Sequence, residues 1–184
     1  KQGSALSLSG RRKGQGMKRV VVLGGSGFVG RALCEQWVSH FGAGGPRLVV
    51  PTRRRARAQH LLPLPSVDVV QLQVSDDAAL VRLLQGADAV VNLIALLHAT
   101  PAQFQAVHVD FPQRLVVACT RAGVKRLVHV SALGADPQGP SMYQRSKAAG
   151  EGALQGAGLD LTLLRPSVIF GAHDRFLNLF AHLQ

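Results

Sequence analysis

A glycine-rich turn between an apolar run and an amphipathic stretch constrains this chain more than any other segment. Residues 20–23 are all apolar and predict a buried strand, and residues 28–41 predict a helix that begins directly after the turn. Between them, Gly24, Gly27 and Gly30 form the pattern GxxGxxG. In this strand–turn–helix context the pattern indicates a turn that binds a dinucleotide, rather than a plain glycine-rich connection between packed elements.

Each glycine of the pattern has a separate physical reason. Gly24 permits a tight turn, Gly27 lets the backbone approach a pyrophosphate, and Gly30 lets the helix pack closely on the strand. The helix N-terminus then offers free N–H groups and the positive end of its dipole to the phosphates. We assign three further residues of the turn to the same cofactor site: Ser26, Phe28 and Val29.

Apolar strands alternate with helical stretches along the rest of the chain. Further strands are predicted at residues 48–51, 67–74, 87–94, 126–131 and 161–164. Further helices are predicted at residues 77–84, 102–122, 141–157 and 175–183. Strands that are apolar on both faces and separated by helices indicate a parallel sheet covered on both sides. The predicted fold is therefore α/β, a doubly wound parallel sheet of the Rossmann type.

Composition fits one globular domain, with 47% hydrophobic and 17% charged residues among 184. Residues 1–16 lack periodicity, and we interpret them as a disordered leader, a cloning remnant or the remainder of a presequence. Met17 looks like a natural start, and residues 17–184 form the predicted nucleotide-binding domain. Cys34 and Cys119 are far apart and predict small buried thiols, without a disulfide or a metal site.

The formal net charge of +11 restricts the classes of partner. Part of it lies in residues 1–16, and much of the remainder lies in one arginine cluster at residues 53–57. No aromatic-rich basic platform accompanies this charge, so a nucleic-acid partner is not predicted.

No apolar run reaches the roughly 18 residues that span a bilayer, so no transmembrane segment is predicted. Peripheral association with an anionic membrane surface stays open.

The end of the second predicted strand indicates which dinucleotide is bound. NAD-binding domains place an acidic residue there for the ribose 2′-hydroxyl, but no acid occurs between Glu35 and Asp68. Thr52, Arg53 and Arg54 instead offer donors and positive charge that suit a 2′-phosphate. NADP(H) is therefore favoured and NAD(H) is the alternative. A solvated arginine-rich turn would leave the same pattern.

Tyr143 and Lys147 stand four residues apart in a predicted helix, so their side chains share one face. This spacing suits a tyrosine acid/base whose phenolate is stabilised by a nearby ammonium. A surface Tyr–Lys pair is the simpler interpretation of the motif by itself. His98 and His108 lack metal-ligand spacing and are predicted at ordinary loop or helix positions. Asn92 is predicted to be a satisfied core amide.

With these residues in place, the chain resembles the extended, atypical short-chain dehydrogenase/reductases. Within that family it is most similar to a branch that includes nucleotide-binding accessory subunits of respiratory complex I. The resemblance runs from Met17 to Gln184. The segments that carry it are GGSGFVGR, VVPTRR, GADAVVNLIALL, AGVKRLVHVSALGAD, SMYQRSKAAGE and LRPSVIFGAHDRFLNLFA.

The resemblance implies a bound NADP(H) with the glycine turn on its pyrophosphate and Arg53, with Arg54, on its 2′-phosphate. Lys147 would hold the nicotinamide ribose, and Tyr143, Lys147 and Ser131 would be the catalytic candidates. Further cofactor contacts are implied at the ends of the fourth and sixth strands, at Leu93, Ile94, Ala95, Pro166 and Val168. The implied partner is respiratory complex I or its assembly intermediates.

Four departures from active relatives distinguish this chain. Ala132 and Leu133 follow Ser131, where active relatives carry a hydroxyl that polarises the substrate carbonyl. Gln73 replaces an aspartate near adenine, and His108 stands where many relatives have asparagine. Most of the C-terminal substrate lobe of active relatives is absent.

The favoured interpretation is a cofactor-binding accessory or assembly protein. The alternative is an active NADP-dependent reductase, epimerase or dehydratase. A bacterial cytoplasm, including the inner face of its membrane, is favoured over a mitochondrial matrix.

Overall fold

The computed structural model describes residues 16–171, which form one six-stranded parallel sheet. The strand order is β3-β2-β1-β4-β5-β6, and every neighbouring pair is parallel. The strands are β1 (Arg19–Leu23), β2 (Arg47–Thr52), β3 (Val67–Gln71), β4 (Ala89–Asn92), β5 (Arg126–Val130) and β6 (Asp160–Leu164). This topology confirms the predicted doubly wound α/β fold.

Helices cover both faces of the sheet. They are α1 (Phe28–Phe41), α2 (Asp77–Leu84), α3 (Pro101–Phe104), α4 (Phe111–Ala122) and α5 (Met142–Leu154). A short 3₁₀ segment, Arg55–Leu61, follows β2 and was not predicted. One hydrophobic cluster joins α1 and the 3₁₀ segment to the sheet, and a second cluster joins α2, α4 and α5 to it.

The central strand β1 contributes to both clusters. Val21 and Leu23 pack into the cluster beneath α2 and α4, whereas Val20 and Val22 pack into the cluster beneath α1. Because successive side chains of a strand point to opposite faces, a strand covered on both sides has no solvent-facing position. This explains the unbroken apolar run that precedes the glycine turn.

β3 and β4 end earlier than predicted. β3 was predicted to reach residue 74, but it ends at Gln71, which pairs with the last residue of β2, Thr52. β4 was predicted over 87–94 but ends at Asn92, whose side-chain oxygen accepts the backbone N–H of Ile94 at 3.1 Å. The predicted helix 175–183 and most of residues 1–16 lie outside the described residues.

The helix predicted over 102–122 exists, but its centre is π-helical. A π segment, Gln105–Asp110, lies between α3 and α4 and shares their helical direction. Pro112 lacks the N–H that would bond to the His108 carbonyl in an α-helix, and the N–H of Phe111 donates to Ala106, five residues back. Gly150 of α5 packs against the His108 carbonyl oxygen.

Within residues 16–171, no helix is both long and apolar enough to cross a bilayer. The described residues also contain no cluster of side chains suited to hold a metal ion. Both cysteines are buried and unpaired, as predicted. Burial raises the pKa of each thiol to about 11, with the charge of Glu35 adding to the shift at Cys34.

Candidate functional site

Most of the predicted site residues follow the carboxyl ends of the strands, and the ends of β1 and β4 lie side by side in the middle of the sheet. After β1 the chain enters α1 on one face of the sheet, and after β4 it continues to the helices on the other face. Such a switch point leaves a crevice between the two connections, which is where open α/β sheets bind ligands.

The backbone of the glycine turn packs closely against the segment after β4, against α1 and against β2. Gly24 has a φ of +80°, and a Cβ added there would lie 3.1 Å from the backbone of Leu93 and Ile94. A Cβ on Gly30 would lie 2.4 Å from the Cα of Gly25, so α1 packs directly on the turn. Gly25 was not singled out from the sequence; a Cβ there would lie 2.8 Å from a methyl of Val50.

Gly27 differs from the other glycines of the turn because it faces open space. It is exposed, its backbone is extended, and the nearest atom to an added Cβ is the Gly24 carbonyl oxygen at 3.2 Å. It is the N-cap of α1, and no side chain caps this helix end. Backbone N–H groups of the first turn have no partner within their own helix, so this end of α1 suits an anion.

The arginine turn follows β2 at the same edge of the sheet. Thr52 is buried, and its hydroxyl accepts the N–H of Arg54 at 3.4 Å and lies 3.2 Å from the Arg54 carbonyl oxygen. Thr52 therefore shapes the turn instead of facing solvent. Arg53 and Arg54 are exposed, and among the described residues neither forms an ion pair.

The segment after β4 is held by the backbone of β1 and by the side chain of Asn92. The N–H of Leu93 donates to the Leu23 carbonyl at 2.9 Å, and Ile94 is held by Asn92. The Asn92 amide also donates to Nδ1 of His129 at 3.0 Å, which confirms that Asn92 is a satisfied core amide. Leu93 and Ile94 are half-buried and Ala95 is exposed at this edge.

His108 links three elements, a role that sequence reasoning did not find. Its Nε2 accepts the N–H of Leu96 at 3.0 Å, so Nδ1 carries the proton and donates to Ser146 at 2.8 Å. Burial, with a smaller effect of the Lys147 charge, lowers the pKa of His108 to about 4. The imidazole is therefore neutral near pH 7 and ties the loop after β4 to α5.

Tyr143 and Lys147 share one face of α5, as their spacing predicts. The Tyr143 ring is half-buried against the rings of Phe104 and His108, at centroid distances of 6.2 and 5.7 Å, and burial raises its pKa. Lys147 is only 2% exposed, and its Nζ donates to the Val130 carbonyl at 2.8 Å. Burial lowers the pKa of Lys147 to about 8, although the charge of Glu151 acts in the opposite direction.

Ser131 is buried, and its hydroxyl acts on Glu151, an acid that the sequence analysis did not identify. Its N–H donates to the Leu164 carbonyl at 2.7 Å, and its buried hydroxyl makes no hydrogen bond of normal geometry with the described residues. The hydroxyl still helps to lower the pKa of Glu151. Burial raises that pKa, but the hydrogen bonds from Arg165, the Ser131 hydroxyl and nearby positive charge together outweigh burial. A glutamate one turn after Lys147 was the available signal.

The segment after β6 returns towards the glycine turn. Pro166 accepts the N–H of Leu133 at 2.7 Å, which extends the contact between β5 and β6 beyond the strands. Val168 is 59% exposed, and a Cβ on Gly171 would lie 3.4 Å from the Phe28 ring. Pro166 and Val168 thus lie on the segment that leads from the end of β6 to the first turn of α1.

A doubly wound parallel sheet with an uncapped glycine turn at its switch point defines a Rossmann-type dinucleotide-binding domain. The model of the NAD dependent epimerase/dehydratase family matches residues 20–182. The chain belongs to this family, which confirms the resemblance to extended short-chain dehydrogenase/reductases.

Among curated proteins, the chain is 34% identical over 168 residues to mouse NADH dehydrogenase [ubiquinone] 1 alpha subcomplex subunit 9, mitochondrial. The match covers 89% of this chain and 44% of the mouse protein, so the chain spans less than half of that relative.

Solved structures show the same fold. A NAD-dependent epimerase/dehydratase from Bacillus halodurans superposes with a TM-score of 0.73 at 25% identity, covering 87% of this chain and 74% of that one. The dTDP-glucose 4,6-dehydratase DesIV of Streptomyces venezuelae, solved with NAD bound, has a TM-score of 0.70 at 26% identity, covering 80% and 55%.

Proposed function

We propose that this chain is the nucleotide-binding part of a complex I accessory or assembly protein, and that it holds NADP(H) in preference to NAD(H). The observation that carries the proposal is the switch-point crevice. An uncapped helix end with an exposed Gly27 follows β1, and two arginines that form no ion pair with the described residues follow its neighbour β2. Similarity to the mouse complex I subunit supports the accessory role.

The uncapped end of α1 and the exposed Arg53 and Arg54 supply the N–H groups and positive charge that a dinucleotide would need. Six residues of the glycine turn would receive the pyrophosphate: Gly24, Ser26, Gly27, Phe28, Val29 and Gly30. Arg53 and Arg54 would bind the 2′-phosphate. The chain after β4, at Leu93, Ile94 and Ala95, would lie along the cofactor, and Lys147 would hold the nicotinamide ribose. Pro166 and Val168 would flank the nicotinamide, which when bound supplies a centre that gives or accepts hydride.

The preference for NADP(H) predicts a selective effect of the arginines. In Arg53→Ala/Arg54→Ala the affinity for NADPH is expected to fall by about a hundredfold, because two charge-assisted hydrogen bonds are lost. NADH affinity should stay within about twofold, because NADH has no 2′-phosphate. Isothermal titration with both nucleotides measures the two changes. Arg57→Ala, from the same exposed basic cluster, is the matched control. Equal losses for NADPH and NADH would reject the 2′-phosphate assignment.

An active NADP-dependent reductase, epimerase or dehydratase is the second candidate. It is favoured by Tyr143 and Lys147 on one face of α5 and by the lowered pKa of Lys147. Two observations oppose it. Burial raises the pKa of Tyr143, which disfavours a phenolate, and the hydroxyl of Ser131 is buried instead of facing the crevice.

Tyr143→Phe discriminates between the two candidates. We expect the variant to keep NADPH affinity within about threefold, because a phenyl ring keeps the contacts with Phe104 and His108. We also expect neither wild type nor variant to oxidise NADPH above background with a panel of carbonyl substrates. Turnover that is present in wild type and disappears in Tyr143→Phe would establish the enzyme instead.

The proposed partner is complex I or one of its assembly intermediates, and the proposed location follows that partner. We favour a bacterial cytoplasm, at the inner face of the membrane that holds the complex. A mitochondrial matrix is the alternative, and it is supported by the mitochondrial designation of the mouse relative.

A further inference from the structure

Helix α5 buries two opposite charges one turn apart. Lys147 is 2% exposed and Glu151 is 3% exposed, and residues four apart on a helix lie on the same face. Burying an ionised group costs free energy unless it is paired and hydrogen-bonded. The proposed cofactor site uses Lys147 but leaves Glu151 without a role.

Arg165 binds both carboxylate oxygens of Glu151. Nε of Arg165 donates to Oε1 of Glu151 at 2.9 Å, and a second guanidinium nitrogen binds the other carboxylate oxygen. Arg165 comes directly after β6, and its side chain is 51% exposed, whereas that of Glu151 is 4% exposed. The Ser131 hydroxyl, at the end of β5, also helps to lower the pKa of Glu151. The buried acid of α5 is therefore tied to the segment directly after β6.

The other groups that act on Lys147 supply no negative charge. His108 faces it from the π segment and His129 from β5, and burial lowers the pKa of both imidazoles to about 4, with the Lys147 charge adding to the shift. Both rings are thus neutral near pH 7. The Val130 carbonyl contributes a hydrogen bond but no charge. Among the described residues, Glu151 is the acid whose charge favours the ammonium form of Lys147.

We propose that Glu151 is a positioning residue for Lys147: one helical turn away on the same buried face and held by Arg165, its carboxylate keeps the amine protonated, and so able to donate to the Val130 carbonyl, at neutral pH. The functional consequence rests on the proposed dinucleotide site. Glu151 would set the upper pH limit for a cation beside the nicotinamide ribose. A cation is present below its pKa, so affinity should be full below about pH 8 and decline above it.

The test observes Lys147 directly, in the full chain without nucleotide. Lysine labelled with ¹³C at Cε is titrated by NMR, and Lys147→Met identifies the resonance. We expect a wild-type midpoint near 8 and a fall of about one pH unit in Glu151→Gln, since an opposite charge is lost at close range. Glu35→Gln, which neutralises a carboxylate paired on the surface of α1, should leave the midpoint unchanged. An unchanged midpoint in Glu151→Gln overturns the proposal.

Arg165→Gln distinguishes an effect of the Glu151 charge on Lys147 from an effect of local packing. This variant removes the hydrogen bonds from Arg165 to Glu151 but retains the carboxylate, so the titration midpoint of Lys147 should stay near 8 or rise. A fall in Arg165→Gln would show that packing controls Lys147 and would overturn the proposal, including where Glu151→Gln fails to fold.

NADPH affinity measured from pH 6.5 to 9 supplies the functional readout, with its decline expected about one pH unit lower in Glu151→Gln. Absence of binding in wild type at every pH would reject the proposed function, whereas the NMR titration would still decide the role of Glu151.

Discussion

Replacing Gly27 with valine is expected to weaken dinucleotide binding by at least about a hundredfold, roughly 2.7 kcal/mol, with little change in folding stability. The backbone of Gly27 is extended, with φ −84° and ψ −178°, a conformation that valine adopts readily. A built Cβ meets only the Gly24 carbonyl oxygen at 3.2 Å. The added methyl groups would therefore occupy the open space in front of α1, where the pyrophosphate is proposed to lie.

The measurement combines isothermal titration with NADPH and thermal unfolding of each variant. Gly44→Val is the matched control, because an added Cβ at Gly44 meets nothing within 4 Å and this glycine lies beyond the other end of α1. Undiminished NADPH affinity in a folded Gly27→Val protein would sink the proposal that backbone amides of this turn hold the diphosphate.

Gly150→Ala is expected to destabilise the fold by about 3 kcal/mol or more, because the new methyl group has no room. A Cβ built on Gly150 lies 2.0 Å from the His108 carbonyl oxygen, which belongs to the backbone of the π segment and has no flexible side chain to yield. Relief requires α5 to move away from the π segment. That movement would disturb the hydrogen bond from His108 to Ser146 as well.

Gly152→Ala provides an internal comparison on the same helix. An added Cβ at Gly152 meets nothing within 4 Å, so alanine there should raise stability by up to about 1 kcal/mol through its helix propensity. Urea denaturation of the two variants measures the contrast. Similar stability for Gly150→Ala and wild type would contradict the close contact between α5 and the π segment.

The parts of the fold set by local pattern could be predicted from the sequence. The apolar run before Gly24 and the periodic stretch after it identified β1 and α1. Both signals, a buried strand and the start of a helix, depend on residues that are close together in the sequence. The π segment could not be found in this way. It depends on Pro112 and on contact with Gly150, two features that lie 38 positions apart in the sequence.

The same distinction applies to the candidate site. Spacing alone placed Tyr143 and Lys147 on one face of a helix, because helical geometry relates residues four apart. The Val130 carbonyl was not predictable as a partner of Lys147, since it reaches Nζ only after β5 and α5 have packed. Glu151 stands one turn away on the same helix, so its nearness could have been inferred from spacing. Buried polar networks depend on tertiary contacts, so sequence pattern identified His108 merely as an ordinary helix position.

The pairing of β1 with β4 has a consequence for a protein that binds a nucleotide without consuming it. Four residue pairs, from Val20–Ala89 to Leu23–Asn92, join the first and second halves of the sheet. Under the proposed function, a molecule lying across this joint contacts both halves and selectively stabilises the assembled state. The cellular abundance of such a protein would rise and fall with the concentration of its nucleotide. Molecules without bound nucleotide would unfold more often and would therefore be degraded sooner.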